Sequence, residues 1–298
     1  IIKALEVYWA SYVAKENLQA SIESRERYEK LVKSIQSKAK LGYSNPGELS
    51  IALAELEEKK QTVKQNSSDF LEKVNELFRY LQIERTQEID FNIEKLIPSP
   101  PALSTLPIDL LRASKIAKLD YDVSDLEFKN IEDDTSPSLT LTATSTLTGV
   151  DEHPGEAFGN TISGSHPIYF VGLNFKHHLF SSAWSAQRKE KYHGKEKTKA
   201  QYQIHTDQLT NKLDQGYREV LAKNMIAESS VQSLSHRSKA AKEVERSFRQ
   251  GRIDINFLIQ TFNSLSDAET KKIRAVGAYH MALNRLAALR DELISDDG

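Results

Sequence analysis

The sequence predicts a mainly α fold of long antiparallel coiled-coil helical hairpins plus one β-hairpin, and three observations lead there. An internal repeat at a constant offset of 209 pairs Gly42 with Gly251, Leu49 with Leu258, Leu56 with Leu265 and Leu77 with Leu286. Leu213, Val220, Ala227, Leu234, Ala241 and Phe248 recur every seven residues, the period of a supercoiled helix seam. Between the two repeats, Ser138-Leu139-Thr140-Leu141-Thr142-Ala143-Thr144-Ser145-Thr146-Leu147-Thr148 alternates with period two, as a β-branched strand does.

Each half reads as a long helix, a tight break and a returning helix. Ile1, Leu5, Tyr8 and Tyr12 already step at helical spacing, so the first residues belong inside a helix and an upstream part is expected to be absent. Gly42 and Gly251 suit the left-handed position that ends a helix, and Asn45 and Asp254 suit the N-cap of the next one. Pro46 would then occupy the first helical position, with Glu48 at the third, close to a capping box. Residues 182–250 are expected to form one helix on the order of 100 Å long.

Pro98, Pro100, Pro101 and Pro107 mark a linker, and Asp109 can cap a short helix running to about Asn130. A Gly/Pro/acid loop is expected from Gly149 to about Ser165. A second strand follows from Ile168 to Leu179, with Tyr169, Val171, Leu173 and Phe175 on one face. Strands of this length match the roughly 9–11 residues that cross a bilayer in a tilted barrel. The domain divisions expected are 1–97, a helical hairpin; 98–137, linker and short helix; 138–180, the β-hairpin; and 181–298, the second helical hairpin.

Composition removes whole classes of function. The 298 residues carry 40 basic and 42 acidic side chains, a net charge of −2, which argues against nucleic acid as a partner. With no cysteine there is no disulfide scaffold, thiolate metal site or cysteine nucleophile. Phosphate-loop, dinucleotide-binding, zinc-protease and nucleophile-elbow motifs are all missing, so no catalytic residue, cofactor or metal is expected and the chain reads as a non-enzyme. His177-His178 point to opposite faces of a strand end, and His193 with Glu196 offers only two ligands, so these read as polar surface. Glu132-Asp133-Asp134 reads as a solvated turn. The basic run Arg188, Lys189, Lys191, Lys195, Lys197 and Lys199 reads as a solvated helix face.

Four segments resemble the outer-membrane efflux protein family, the TolC-like trimeric export channels of Gram-negative bacteria. They are the strand entry Ser136-Pro137-Ser138-Leu139-Thr140-Leu141, the strand Val171-Gly172-Leu173-Asn174-Phe175 followed by Leu179-Phe180, the turn Gly251-Arg252-Ile253-Asp254 through Leu258-Ile259, and the short helix from Leu103 to Leu119. The resemblance implies an outer-membrane β-barrel continued by a periplasmic helical tube. It also implies a homotrimer working with a periplasmic adaptor protein, an inner-membrane pump and outer-membrane lipid as a passive exit duct for efflux or type I secretion. The turns Gly42, Tyr43, Ser44, Asn45 and Gly251, Arg252, Ile253, Asp254 would lie at the periplasmic tip where the adaptor docks. By the same alignment about a hundred residues are expected upstream, including a first strand pair. Two strands from each of three copies fall short of the family's barrel of twelve, so the chain by itself is expected not to close the pore.

One departure from the family is visible. Where several members place paired acids after the second turn, this chain has Phe257, Leu258, Ile259 and Gln260. An acidic selectivity ring is therefore replaced, on this reading, by a constriction of Asn256, Phe257 and Gln260. The alternative reading is a periplasmic coiled-coil adaptor or scaffold. It would require a compact soluble β-domain where this sequence has a long Thr-faced hairpin.

Overall fold

The computed structural model describes residues 1–40, 47–83, 91, 96–102, 107–148, 152–163, 167–177 and 182–293. It is mainly helical with one antiparallel hairpin: α1 Ile2–Lys40, α2 Glu48–Leu81, a 3-10 turn Ile108–Leu110, α3 Arg112–Thr135, β1 Ser138–Leu147, α4 Pro154–Ser163, β2 Pro167–Lys176, α5 Ser182–Arg249 and α6 Ile255–Leu289. No described helix is long and apolar enough to cross a membrane. The chain divides into two compact units, Ile1–Pro107 with Leu209–Gly298, and Ile108–Gln208.

In the first unit α1 runs antiparallel to both α2 and α6, and α5 packs on α6. Three apolar clusters hold the layer. The largest joins Tyr28, Leu31, Val32 and Ile35 of α1 to Ala52 and Leu56 of α2, Ala241 and Phe248 of α5, and Ile255, Leu258, Ile259, Phe262 and Leu265 of α6. A second joins Val220 and Ala227 of α5 to Val276, Tyr279, Ala282 and Leu286 of α6. The third gathers Val7, Trp9, Tyr12, Leu77 and Phe91. The seven-residue series on α5 is the stripe that supplies the α6 contacts, and Val220 and Ala227 are fully buried.

At Gly277, α6 comes close to α1. A Cβ there would sit 2.3 Å from Val13 Cγ2 of α1, so only glycine permits this spacing. The linker is fastened beside it: Tyr279 donates its hydroxyl to the Pro98 carbonyl at 2.6 Å, and His280 Nε2 lies 2.9 Å from the Leu96 carbonyl. His280 also stacks on Trp9 with ring centroids 3.9 Å apart.

The second unit contains α3, the hairpin with α4, and α5 as far as Gln208. The strands pair from Ser138 opposite Lys176 to Leu147 opposite Pro167, forming a two-stranded sheet. Four sequence expectations are corrected. The loop expected over 149–165 contains α4, with Pro154 at its start, where a fixed φ favours a helix. The helix expected to be capped by Asp109 begins instead at Arg112 after the 3-10 turn, with Leu111 at the N-cap, and runs five residues beyond Asn130. The second strand ends at Lys176, three residues short of Leu179. The second helix of the first hairpin begins at Glu48 with Gly47 at its N-cap in the left-handed region, φ 97°, so Glu48 is not at the third position of a capping box.

Candidate functional site

The α5–α6 turn is built from backbone hydrogen bonds that use up the helix-end groups. Gly251 adopts φ 72°, its N–H donates to the Phe248 carbonyl at 3.0 Å, and the Arg252 N–H donates to the Ser247 carbonyl at 3.0 Å. This pair is a Schellman arrangement, which needs the glycine because a Cβ is strained in the left-handed region. Asp254 then caps α6, its Oδ1 accepting from the Phe257 N–H at 2.9 Å. Of the turn residues singled out in the sequence, Gly251, Arg252 and Asp254 are exposed and Ile253 packs against the large apolar cluster. Asn256, Phe257 and Gln260 are exposed beside them. Gly42, Tyr43, Ser44, Asn45 and Pro46 lie outside the described residues.

The two hairpins meet at this end. Lys38 Nζ donates to the Phe248 carbonyl at 3.1 Å and sits 4.4 Å from the centroid of the Phe248 ring. A cation on the last carbonyls of a helix is favoured by the helix dipole.

Farther along α1 and α6 lies a polar belt that the sequence did not single out. Arg27 holds Glu269 with both guanidinium nitrogens at 3.0 and 2.7 Å, and the Ser24 and Ser266 hydroxyls are 3.0 Å apart. Tyr28 donates to Asn263 Oδ1 at 2.9 Å, and burial pushes its phenol well above the ordinary range. A cavity of about 180 Å³ opens beside the belt, lined in part by Asn17, Ser21, Lys59, Asn66 and Thr270. The sequence signal was small and polar residues, Ser21 and Ser24, at positions where the helix buries one face.

In the second unit the basic run of α5 faces acids of α3. Lys195 meets Asp125 at 2.6 Å, Lys191 meets Glu127 at 2.8 Å, and Arg188 pairs with Glu132. Phe128 and Tyr192 make an edge contact between the same helices. Hydrogen bonds from Lys129 and then Lys195 hold the Asp125 carboxyl below its ordinary range. The solvated face read from the sequence is therefore also an ion-paired face, and Glu132 belongs to α3 rather than to a turn. Meanwhile Ile116, Leu119, Val123 and Leu126, at three- and four-residue steps on the opposite side of α3, are between 54% and 62% exposed.

The sheet has two unlike faces, because residues paired across an antiparallel ladder point the same way. One face carries Leu139 with Phe175, Leu141 with Leu173, Ala143 with Val171, Ser145 with Tyr169 and Leu147 with Pro167. The other carries Ser138 with Lys176, Thr140 with Asn174, Thr142 with Gly172, Thr144 with Phe170 and Thr146 with Ile168. Nineteen of the twenty strand positions are exposed, the exception being Gly172. Among the described residues no group of three or more His, Asp or Glu could hold a metal ion.

No family model and no curated protein matches the chain. Solved structures do. The outer-membrane channel OprN superimposes with a TM-score of 0.70 at 14% identity, covering 97% of this chain and 65% of that one. CusC, which forms a transmembrane channel, gives 0.74 at 12% identity, covering 95% and 66%. The outer membrane channel CmeC of Campylobacter jejuni gives 0.68 at 14% identity, covering 100% and 63%. The chain has the fold of these outer-membrane channels. It spans about two thirds of the length of these proteins.

Proposed function

We propose that the chain is part of a passive outer-membrane exit duct of an efflux or type I secretion system, with no catalysis of its own. The observation that carries this is the β-hairpin. Each strand is ten residues long, one face is almost wholly apolar and the other is threonine-rich, and no described element covers either face. A two-stranded sheet is marginal by itself in water, and its open edges call for further strands. A closed barrel in lipid satisfies every edge, with the apolar face toward acyl chains and the threonines toward a wet lumen.

Homotrimeric assembly accounts for the remaining exposed apolar surface, since the α3 stripe needs a helical neighbour of its own. On this reading residues 138–180 lie in the outer membrane, and the helical hairpins of 1–97 and 181–298 form the periplasmic tube. Residues 98–137 join them. The turns at 42–45 and 251–254 form the tip that docks a periplasmic adaptor of an inner-membrane pump. Asn256, Phe257 and Gln260 line the constriction, and opening is a packing change of the hairpins.

The test is the oligomeric state of the full-length protein extracted from outer membranes in mild detergent, with conductance in planar bilayers. A detergent-requiring trimer that conducts supports the duct. A water-soluble monomer or dimer would overturn it in favour of the periplasmic coiled-coil adaptor or scaffold.

A further inference from the structure

We propose that Phe170 is an aromatic contact point in the duct's lumen and that Gly172 positions it, so that flat aromatic solutes are held there in passing. This rests on the channel reading above and adds a specificity-determining pair to the barrel wall. In the ladder Phe170 stands opposite Thr144 and Gly172 opposite Thr142, on the face that carries Ser138, Thr140, Thr146, Asn174 and Lys176. Seven of the ten positions on that face are Ser, Thr, Asn or Lys, and Phe170 is its one aromatic. The other two aromatics of the strand, Tyr169 and Phe175, lie on the apolar face. Phe170 is thus a large apolar side chain, 60% exposed, on the face that the channel reading turns toward water.

Residues two apart in a strand share a face, and here the two are in contact. A Cβ on Gly172 would stand 2.9 Å from Cε1 and 3.0 Å from Cζ of Phe170. The ring therefore reclines along the strand with its far end over the glycine, where a strand side chain ordinarily stands off the sheet. Gly172 does not have the positive φ that would require glycine for the backbone's sake. Glycine inside a strand weakens it and marks a close approach. The approach at Gly172 is that of the Phe170 ring, which also makes Gly172 the one strand position that is not exposed.

A reclining ring offers its side to the lumen and leaves the bore open, whereas an upright one would push its tip into the path of the cargo. Two aromatic rings attract each other when stacked with an offset or edge to face, with centroids about 4.5–7 Å apart. Holding one ring against the wall removes part of the ordering cost of that contact. Ile168, two residues before Phe170 on the same face and also 60% exposed, widens the apolar patch. The hydroxyls around the pair favour water and offer a flat apolar solute no comparable contact. Rotational symmetry repeats the pair in every copy at one level of the barrel.

The experiment is block of the current through the full-length protein in planar bilayers by naphthalenesulfonate, with methanesulfonate as a probe of like charge and no ring. The expected result is block at lower concentration by naphthalenesulfonate. Its half-blocking concentration rises about three- to tenfold in Phe170→Ala and is kept in Phe170→Tyr. Gly172→Ala raises it too, because the added methyl displaces the far end of a flexible side chain and leaves the strand in place. In the Phe170→Ala background the same glycine change adds nothing. A ring that only shields the strand would lower the trimer's thermal midpoint in these variants and leave the block unmoved, which overturns the inference. Equal block of the wild-type protein by the two probes overturns it as well. Either result leaves the channel standing. Folded trimers that never conduct overturn the channel reading and the inference with it.

Discussion

The two units of this chain treat apolar side chains in opposite ways. In the first, Tyr28, Ile35, Leu258, Val276 and Tyr279 are sealed between four helices. In the second, the helices meet through ion pairs at Asp125, Glu127 and Glu132, while leucines, valines and aromatics of α3 and the hairpin face outward. On the channel reading proposed above, the surroundings that stabilise this inverted arrangement are lipid and further copies of the chain. The first unit's stability is thus a property of this chain. On the same reading, the second unit's is a property of its assembly.

The largest expected effect tests that contrast with one pair of truncations. Leu258→Ala removes a side chain with 0% exposure and is expected to cost about 3–4 kcal/mol, read as a lower urea midpoint. Leu141→Ala removes one that is 68% exposed and should leave the same midpoint within about 0.5 kcal/mol. Equal losses from the two would mean that the sheet is covered within the chain. The next effect appears only in the membrane. Val171→Lys, on the apolar face, should cost about 2–4 kcal/mol at mid-bilayer and deplete the detergent-extracted trimer. Thr142→Lys, on the other face, should be tolerated there, and a reversed ranking would exchange the lipid and lumen faces.

Within the first unit, Gly277→Ala sharpens how tightly α1 and α6 are pressed together. The added methyl meets the stiff, β-branched Val13, and overpacking of this kind costs about 1–3 kcal/mol, partly offset by the better helix propensity of alanine. Adding Val13→Ala should recover most of the loss. If the double variant stays as unstable as the single one, the contact is not the cause.

Much of this was legible beforehand because it was local. Gly251 takes its left-handed position and Asp254 its cap because a turn between antiparallel helices has few solutions, and residue chemistry announces them. The Thr alternation fixed the sheet's two faces for the same reason. What could not be read depended on partners distant in sequence. Arg27 and Glu269 are 242 residues apart, and each alone looks like an ordinary surface charge. The basic run on α5 finds its acids on α3 only once the chain folds back, and spacing within one helix does not announce that. Gly47 shows the limit on the local side. The repeat offset placed the first hairpin's cap by analogy with Asp254, whereas that helix starts two residues later than the analogy requires.

The smallest expected effect concerns His280, where the first unit fastens its linker. Burial against Trp9 holds the imidazole below its ordinary value of 6.5, and the hydrogen bond to the Leu96 carbonyl acts in the opposite, raising direction without cancelling it. Because the folded state binds this proton less readily than the unfolded chain, stability is full above about 6.5. It declines as pH falls through that value toward the lowered folded one, and levels off below it. Carboxylates that titrate lower add their own losses only at still more acid pH. Comparing urea midpoints at pH 7.5 and 5.5 should therefore show a loss in the wild-type chain that His280→Gln reduces. A midpoint that falls equally in both proteins would place the acid sensitivity elsewhere, and one that rises in the wild type would mean that stacking on Trp9 favours the imidazolium over the buried neutral ring.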